Sequence, residues 1–260
     1  MTAAPQPITS RDNAFVKDLR RLAQDGTAYR RHGRVWLEGD HLCGALLARG
    51  RRPAVAVFAE TFWPQAPQAL REAAPRTVLL ADKVMESVSG LESAASVGFV
   101  LDLDAAAAPL PGAPAVVLDR LQDAGNVGSI LRSASAFGFA QVLALRGTAA
   151  LWSPKVLRAG MGAHFGLRLV EGLEAASLDG LGLPLVATSS HGGEWLHRAA
   201  LPWPCAWLLG HEGRGVQPAL EAKAAMRIRI AQPGGEESLN VAAAAAICLH
   251  ASAAQAPAAG

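Results

Sequence analysis

The run GGEESLNVAAAAAICLH, residues 234–250, changes character at its midpoint. Glycines and polar side chains fill its first half. An uncharged stretch of alanines, Ile247, Cys248 and Leu249 fills the second. Alanine is the strongest helix former, so the second half reads as a buried helix. Ser238 is a natural N-cap, with Asn240 in the first turn. A helix N-terminus presents unpaired backbone amides to any ligand beyond it. The glycines ahead of it let the chain approach such a ligand closely. Glu236 and Glu237 argue against a simple phosphate cradle and for a ligand with donors or a positive charge. An ordinary capped helix is the competing reading.

Working back from this run, short apolar strands alternate with helices. The strands read as AVVLD (115–119), AQVLAL (140–145), GLRLV (166–170), PLVATS (184–189), CAWLLG (205–210) and MRIRI (226–230). Helices fit at 129–138, 154–162, near 195–200, at 218–224 and over the final alanine-rich segment, with a frayed tail after Ala251. Such alternation predicts a largely parallel sheet. Ligands of open α/β sheets bind beyond the carboxyl ends of the strands. Two further loops lie at such ends. RLQDAGNVGSILRSASAFG follows AVVLD, placing Asn126 where it caps a helix or meets a ligand. Arg132 follows six residues later, on the first or second turn, as a surface cation or a bidentate phosphate clamp. GHEGRGV (210–216) follows CAWLLG. It combines three glycines with Glu212, and Pro218 opens a helix behind it. Its spacing is not GxGxxG, so a nicotinamide site is weakly supported.

The first hundred residues read as a separate α/β unit. A helix over 10–25, capped by Ser10, turns Phe15, Val16, Leu19 and Leu22 inward. Strands follow at 35–39, 53–60, 76–82 and 97–103. The stretch 104–114 is rich in proline and small residues and reads as a linker. The expected division is therefore 1–103, a linker 104–114 and 115–260.

The 260-residue chain is 51% hydrophobic, with a formal charge of +2. Its charge is uneven. Through Arg52 ten basic residues face five acidic ones. A basic arm on a balanced body suits a polyanion such as nucleic acid, and a solvated helix face is the plain alternative. Cys43, Cys205 and Cys248 have neither disulfide nor metal spacing. No metal site is visible. No secretory signal or membrane span is apparent, so a cytoplasmic protein is expected.

Taken together, NxGxxxR (126–132), GxEGxG (210–215) and GGEESLNV (234–241) resemble, in order and spacing, the three motifs of SpoU-type RNA 2′-O-ribose methyltransferases. These belong to the SPOUT class of knotted enzymes. The likeness runs from about Pro114 to the C-terminus. More weakly, the stretch from ITSRDNAFVKDLRRL to VWLEGDHLCGALL resembles the family's small ribosomal-protein-like RNA-binding domain. The resemblance implies a trefoil knot, which no sequence argument would propose, since threaded chains are so rare. It also implies a homodimer through the C-terminal domain, S-adenosylmethionine as cofactor, ribosomal or transfer RNA as substrate, and methylation of a ribose 2′-hydroxyl.

Carried over residue by residue, the resemblance makes Arg132 the catalytic arginine. Asn126, Glu212, Ser238 and Asn240 support it. The cofactor falls to Thr188, Gly210, Gly215, Ile230 and Leu239. The RNA backbone falls to Arg11, Lys17, Arg20, Arg21, Arg30, Arg31 and Arg34. A guanidinium stays protonated to above pH ~12, so Arg132 reads as an anchor for phosphate or ribose rather than as the base. Glu212 either shapes its loop or pairs with Arg132. Two positions depart from the family pattern: Ala231, where proline is frequent, and Ala242, where serine is usual. The alternative function is a non-catalytic RNA-binding protein on the same fold.

Overall fold

The computed structural model describes residues 6–90, 93–104, 107–236 and 238–257. Glu237 and part of the 104–114 stretch lie outside them. Two compact units form: residues 1–106 with 152–165, and residues 107–151 with 166–260. The segment 152–165, read from the sequence as part of the C-terminal domain, thus belongs to the first unit.

In the first unit, α1 (Ala14–Gln24) is followed by α2 (Ala28–His32), β1 (Arg34–Glu38), α3 (Asp40–Ala48) and β2 (Val55–Ala59). Then come α4 (Gln68–Arg71), β3 (Arg76–Leu80), α5 (Asp82–Val88) and β4 (Val97–Asp102). The four strands form one sheet in the order β1-β4-β2-β3, antiparallel except for β2 and β3. Helix α1 buries Val16, Leu19, Leu22 and Ala23 against Trp36, Val57 and Val88, with Phe15 at the margin. Its cap is Asn13, whose side chain accepts from Phe15 N at 2.9 Å, rather than Ser10. Ser10 instead accepts from Asp12 N one turn earlier.

The second unit carries β5 (Ala115–Asp119), α6 (Ala124–Ala136) and β6 (Gln141–Leu145). Helix α7 (Pro154–Gly160) then packs on α1 and β1 of the first unit. The second unit resumes with β7 (Arg168–Leu173), β8 (Leu185–Thr188), β9 (Glu194–Trp195) and β10 (Ala206–Gly210). It ends with α8 (Pro218–Glu221), β11 (Met226–Arg229) and α9 (Val241–Gln255). All seven strands are parallel, in the order β7-β6-β5-β10-β8-β11-β9. The apolar strand runs are buried on both faces, as parallel strands require. Helices α6 and α9 pack together, with α9 also on β10.

Four local expectations change. The expected helix near 195–200 is a short edge strand and a single turn. Leu196 N donates to Arg229 O, committing this chain to the sheet ladder, and prolines 202 and 204 follow. Helix α6 starts five residues before the expected 129, because Asp123 caps it. Helix α9 stays ordered to Gln255 rather than fraying after Ala251. Ser252 is buried and accepts from Trp207 Nε1 at 2.8 Å, and Gln255 accepts from Leu201 N at 3.0 Å. Helix α9 is also less buried than its composition suggests. Ala245, Cys248, Leu249 and Ser252 face inward, while Ala243, Ile247 and Ala254 form an exposed apolar face. None of the helices among the described residues is long and apolar enough to cross a membrane.

Candidate active site

Strands β5 and β10 are neighbours in the sheet, yet the chain leaves them in opposite directions. Such a switch point opens a crevice beyond the carboxyl ends. Register aligns Asp119, the last residue of β5, with Gly210, the last of β10. Alongside, Ala187 pairs with Leu208, and Ile228 with Thr188. The carboxyl ends of β5, β10, β8 and β11 thus share one sheet edge, and all three motif loops leave from it.

Asp119 is fully buried and fixes this edge. Its carboxylate pairs with Arg120 Nε at 2.8 Å. It also accepts from Gln217 N at 2.7 Å and from Gln217 Nε2 at 2.6 Å. The far end of the 210–216 loop is therefore tied to β5. A carboxylate closing an otherwise apolar strand, AVVLD, was the sequence signal for this role, and the sequence reading overlooked it.

The near end of that loop is tied by Glu212. Its Oε1 accepts from Asp123 N at 3.2 Å and Asn126 Nδ2 at 3.3 Å, and its Oε2 from Gln122 N at 3.4 Å. Partial burial pushes the Glu212 carboxyl up. Hydrogen bonds from its own backbone and from Asp123, Asn126 and Gln122 outweigh that and hold it below the ordinary carboxylate value. Among the described residues Glu212 thus shapes the loops and does not pair with Arg132.

Asn126 is not the cap of α6. Asp123 takes that role, accepting from Asn126 N at 2.7 Å, and this releases the Asn126 side chain for tertiary contacts. Its Oδ1 accepts from Asn240 Nδ2 at 2.9 Å. Asn240, not Ser238, caps α9, accepting from Ala242 N at 2.9 Å and Ala243 N at 3.1 Å. Its extended backbone, φ −51° and ψ 136°, places it outside the helix rather than in the first turn. A directed chain results: helix amides donate to Asn240, Asn240 to Asn126, and Asn126 to Glu212. In both amides the oxygen accepts and the nitrogen donates, which sets their orientations.

Arg132 is the ninth residue of α6, one turn deeper than expected, because the helix begins at Ala124. It lies about 12 Å along the axis from the helix start. It is exposed on a stripe with Gly125, Ser129 and Ala136. Side chains on a helix lean toward its N-terminus, which aims the guanidinium back toward the loops. Ser238 and Leu239 are exposed beside the cap, and Thr188 Oγ1 donates to Leu208 O at 3.1 Å.

The glycines shape the loops at this edge. A Cβ on Gly210 would lie 2.1 Å from Gly215 C and Val216 N, so only glycine allows the loop to fold back there. At Gly213, Gly215 and Gly234 an added Cβ would meet nothing within 4 Å. Bare backbone bordering open space fits a nucleoside held by main-chain groups. Burial raises the Cys205 thiol to about 11 and Cys248 to about 12, so neither serves as a nucleophile. Among the described residues no cluster of His, Cys, Asp or Glu is placed to hold a metal ion.

In the first unit, Lys17, Arg20 and Arg21 line an open cleft of about 520 Å³ with Gln24 and Asp25. Arg20 is anchored to Ser87. Lys17, Arg21, Arg31 and Arg34 sit in exposed ion pairs with Asp12, Asp18, Asp25 and Asp102. Arg11 donates to Lys83 O, and Arg30 stacks over Tyr29. Exposed pairs of this kind contribute little and exchange readily.

Comparison with known proteins agrees with this geometry. Residues 113–250 match the model of the SpoU rRNA Methylase family. An uncharacterized tRNA/rRNA methyltransferase of Synechocystis is 30% identical over 96% of this chain and 94% of its own length. The 23S rRNA (guanosine(2553)-2′-O)-methyltransferase RlmP of Bacillus subtilis is 33% identical over 52% of this chain and 56% of its own. The S-adenosylmethionine-bound rRNA methyltransferase of Sinorhizobium meliloti superposes with a TM-score of 0.81 at 25% identity, covering 95% of this chain and 96% of that one. With an all-parallel sheet, the three motif loops on one edge and these relatives, the chain belongs to the SpoU rRNA methylase family.

Proposed function

We propose that this protein methylates a ribose 2′-hydroxyl in ribosomal or transfer RNA, using S-adenosylmethionine, in the cytoplasm. The observation that carries the proposal is the Asn240–Asn126–Glu212 chain, which joins all three motif loops around one sheet edge. Bound there, the cofactor supplies an electrophilic methyl group on a sulfonium. Gly210, Gly215, Ile230, Leu239 and Thr188 would hold it, chiefly through main-chain groups. The ionised Glu212 keeps negative charge near a cationic ligand. Arg132 would grip the phosphate or ribose of the target nucleotide and steady the developing oxyanion. Asn126 and Ser238 would orient the sugar so that oxygen, methyl carbon and sulfur fall in line. Methyl transfer would exchange the carbon–sulfur bond for an oxygen–carbon bond, and Arg132 would favour loss of the hydroxyl proton to water or a neighbouring phosphate oxygen.

The cleft of α1 would hold RNA by its backbone. The exposed face of α9, with Ile247 43% accessible, would be covered by a second copy of the chain. The trefoil knot is part of the same reading. It is supported by β10 lying between β5 and β8 with α9 packed on it.

Titration calorimetry with S-adenosylmethionine tests this. One-to-one binding per chain, lost in Gly210→Ala, is the expected result. RNA binding with no detectable cofactor binding would instead support the non-catalytic alternative.

A further inference from the structure

Beyond the motif loops, the edge of the seven-stranded sheet carries an unusual pair. Trp195 on β9 and Arg229 on β11 are register partners on adjacent parallel strands. Directly opposed residues share a face, and here they stack. The Arg229 ζ-carbon lies 3.6 Å from the Trp195 ring centroid. The exposed ring of His197 lies 6.4 Å from that of Trp195 with an interplanar angle of 29°, extending the column toward solvent. Arg198, also exposed, follows directly. Glu194, the nearest carboxylate on this strand, precedes Trp195 and so faces the other side.

Arg229 is not neutralised. Arg227, two residues earlier, pairs with Glu221 at 3.5 Å, but Arg229 pairs with no carboxylate among the described residues. Its Nε is sheltered from solvent with no hydrogen-bond partner among them, and so is Oε1 of Gln232. A buried donor and a buried acceptor left unmatched are costly. These two flank Ile230 and Ala231, at the carboxyl end that holds the motif loops. RNA brings both acceptors and donors that could satisfy them, while its bases stack on the column. Flat cations and aromatic rings are the surfaces on which proteins stack unpaired bases.

We infer that Trp195, Arg229 and His197 form a nucleobase-stacking subsite that seats an unpaired RNA base beside the methylated nucleotide. The inference rests on the methyltransferase reading for its location and on the stack for its chemistry. A ribose cannot be identified by its hydroxyl alone, so a base platform next to the cofactor end gives the enzyme a means of choosing its nucleotide.

The test compares the full-length protein with Trp195→Ala, Trp195→Phe and Arg229→Lys. The probes are an oligoadenylate of about 12 nucleotides and an abasic ribose-phosphate oligomer of equal length. Wild type should bind the base-bearing oligomer roughly five-fold or more tightly than the abasic one. Trp195→Phe should keep that preference. Trp195→Ala and Arg229→Lys should abolish it, with S-adenosylmethionine affinity within about two-fold of wild type. Persistence of the preference in Trp195→Ala overturns the inference. So does an equal loss of cofactor affinity, which would assign the stack to the cofactor's adenine. If Trp195→Ala fails to fold, a full preference in Arg229→Lys overturns it just as directly. Should wild type bind no S-adenosylmethionine, the methyltransferase reading fails, while the base preference, measured without cofactor, still decides the platform.

Discussion

Asn240 Nδ2 donates to Asn126 Oδ1 at 2.9 Å, joining residues 114 apart in sequence at the open ends of two helices. The same Asn240 accepts from two amides of α9, and the same Asn126 donates to Glu212. Positive helix end, two amides and a carboxylate therefore form one polarised line, in which each bond strengthens the next.

Asn240 performs two tasks that substitution separates. In Asn240→Ala the cap is lost, and stability should fall by about 1 kcal/mol. In Asn240→Asp the carboxylate still caps α9 but has no donor for Asn126. Melting temperature should stay within a few degrees of wild type, with methyl transfer reduced roughly tenfold, the equivalent of one hydrogen bond to a critical group. Thermal denaturation and initial rates, measured on both variants, check this.

Glu212 makes the loops sensitive to acid. Its carboxyl is held below the ordinary value in the folded protein. Its stabilising contribution is therefore fully present above the unfolded value of about 4.5 and is lost as pH falls through the lower folded value. Glu212→Gln should melt below wild type at pH 7, and the gap should close as pH drops below about 4. A gap that widens toward low pH would contradict the assignment.

Gly210 has no room for a methyl group, since its Cβ would lie 2.1 Å from backbone atoms of Gly215 and Val216. Gly210→Ala should destabilise the fold by about 1–3 kcal/mol and reduce cofactor affinity more than RNA affinity. Calorimetry and filter binding separate the two effects.

Lys17 and Arg21 line the α1 cleft and are tied only by exposed ion pairs. Replacing both by glutamate should weaken RNA binding and lower the slope of log affinity against log salt by about 1.4, at roughly 0.7 per lost single-strand phosphate contact. Cofactor affinity should not change. This double variant is preferable to removing residues 1–103, because that deletion would strip α7 of its partners α1 and β1.

The loops were legible because glycine, proline and capping residues have local meanings. GHEGRGV and GGEESLN announce turns wherever they fall. The network was not legible, because caps compete. Ser238 and Asn240 are both good caps, and the choice went to the residue whose amide also reaches Asn126. Asn126 likewise yielded its cap to Asp123, which no local rule decided. The strand order was hidden as well. Nothing in AVVLD or CAWLLG says that they pair in register across some ninety residues, and Asp119 acquires its role only from that pairing. Trp195 and Arg229 are separated by 34 residues, and their stack exists only because β9 forms the sheet edge.

The most direct test is transfer of a labelled methyl group from S-adenosylmethionine to unmodified ribosomal and transfer RNA, followed by digestion to nucleosides. Wild type should yield a single labelled 2′-O-methylnucleoside, and Arg132→Ala should yield none while still binding the cofactor. Label on a base, or full turnover by Arg132→Ala, would contradict the account.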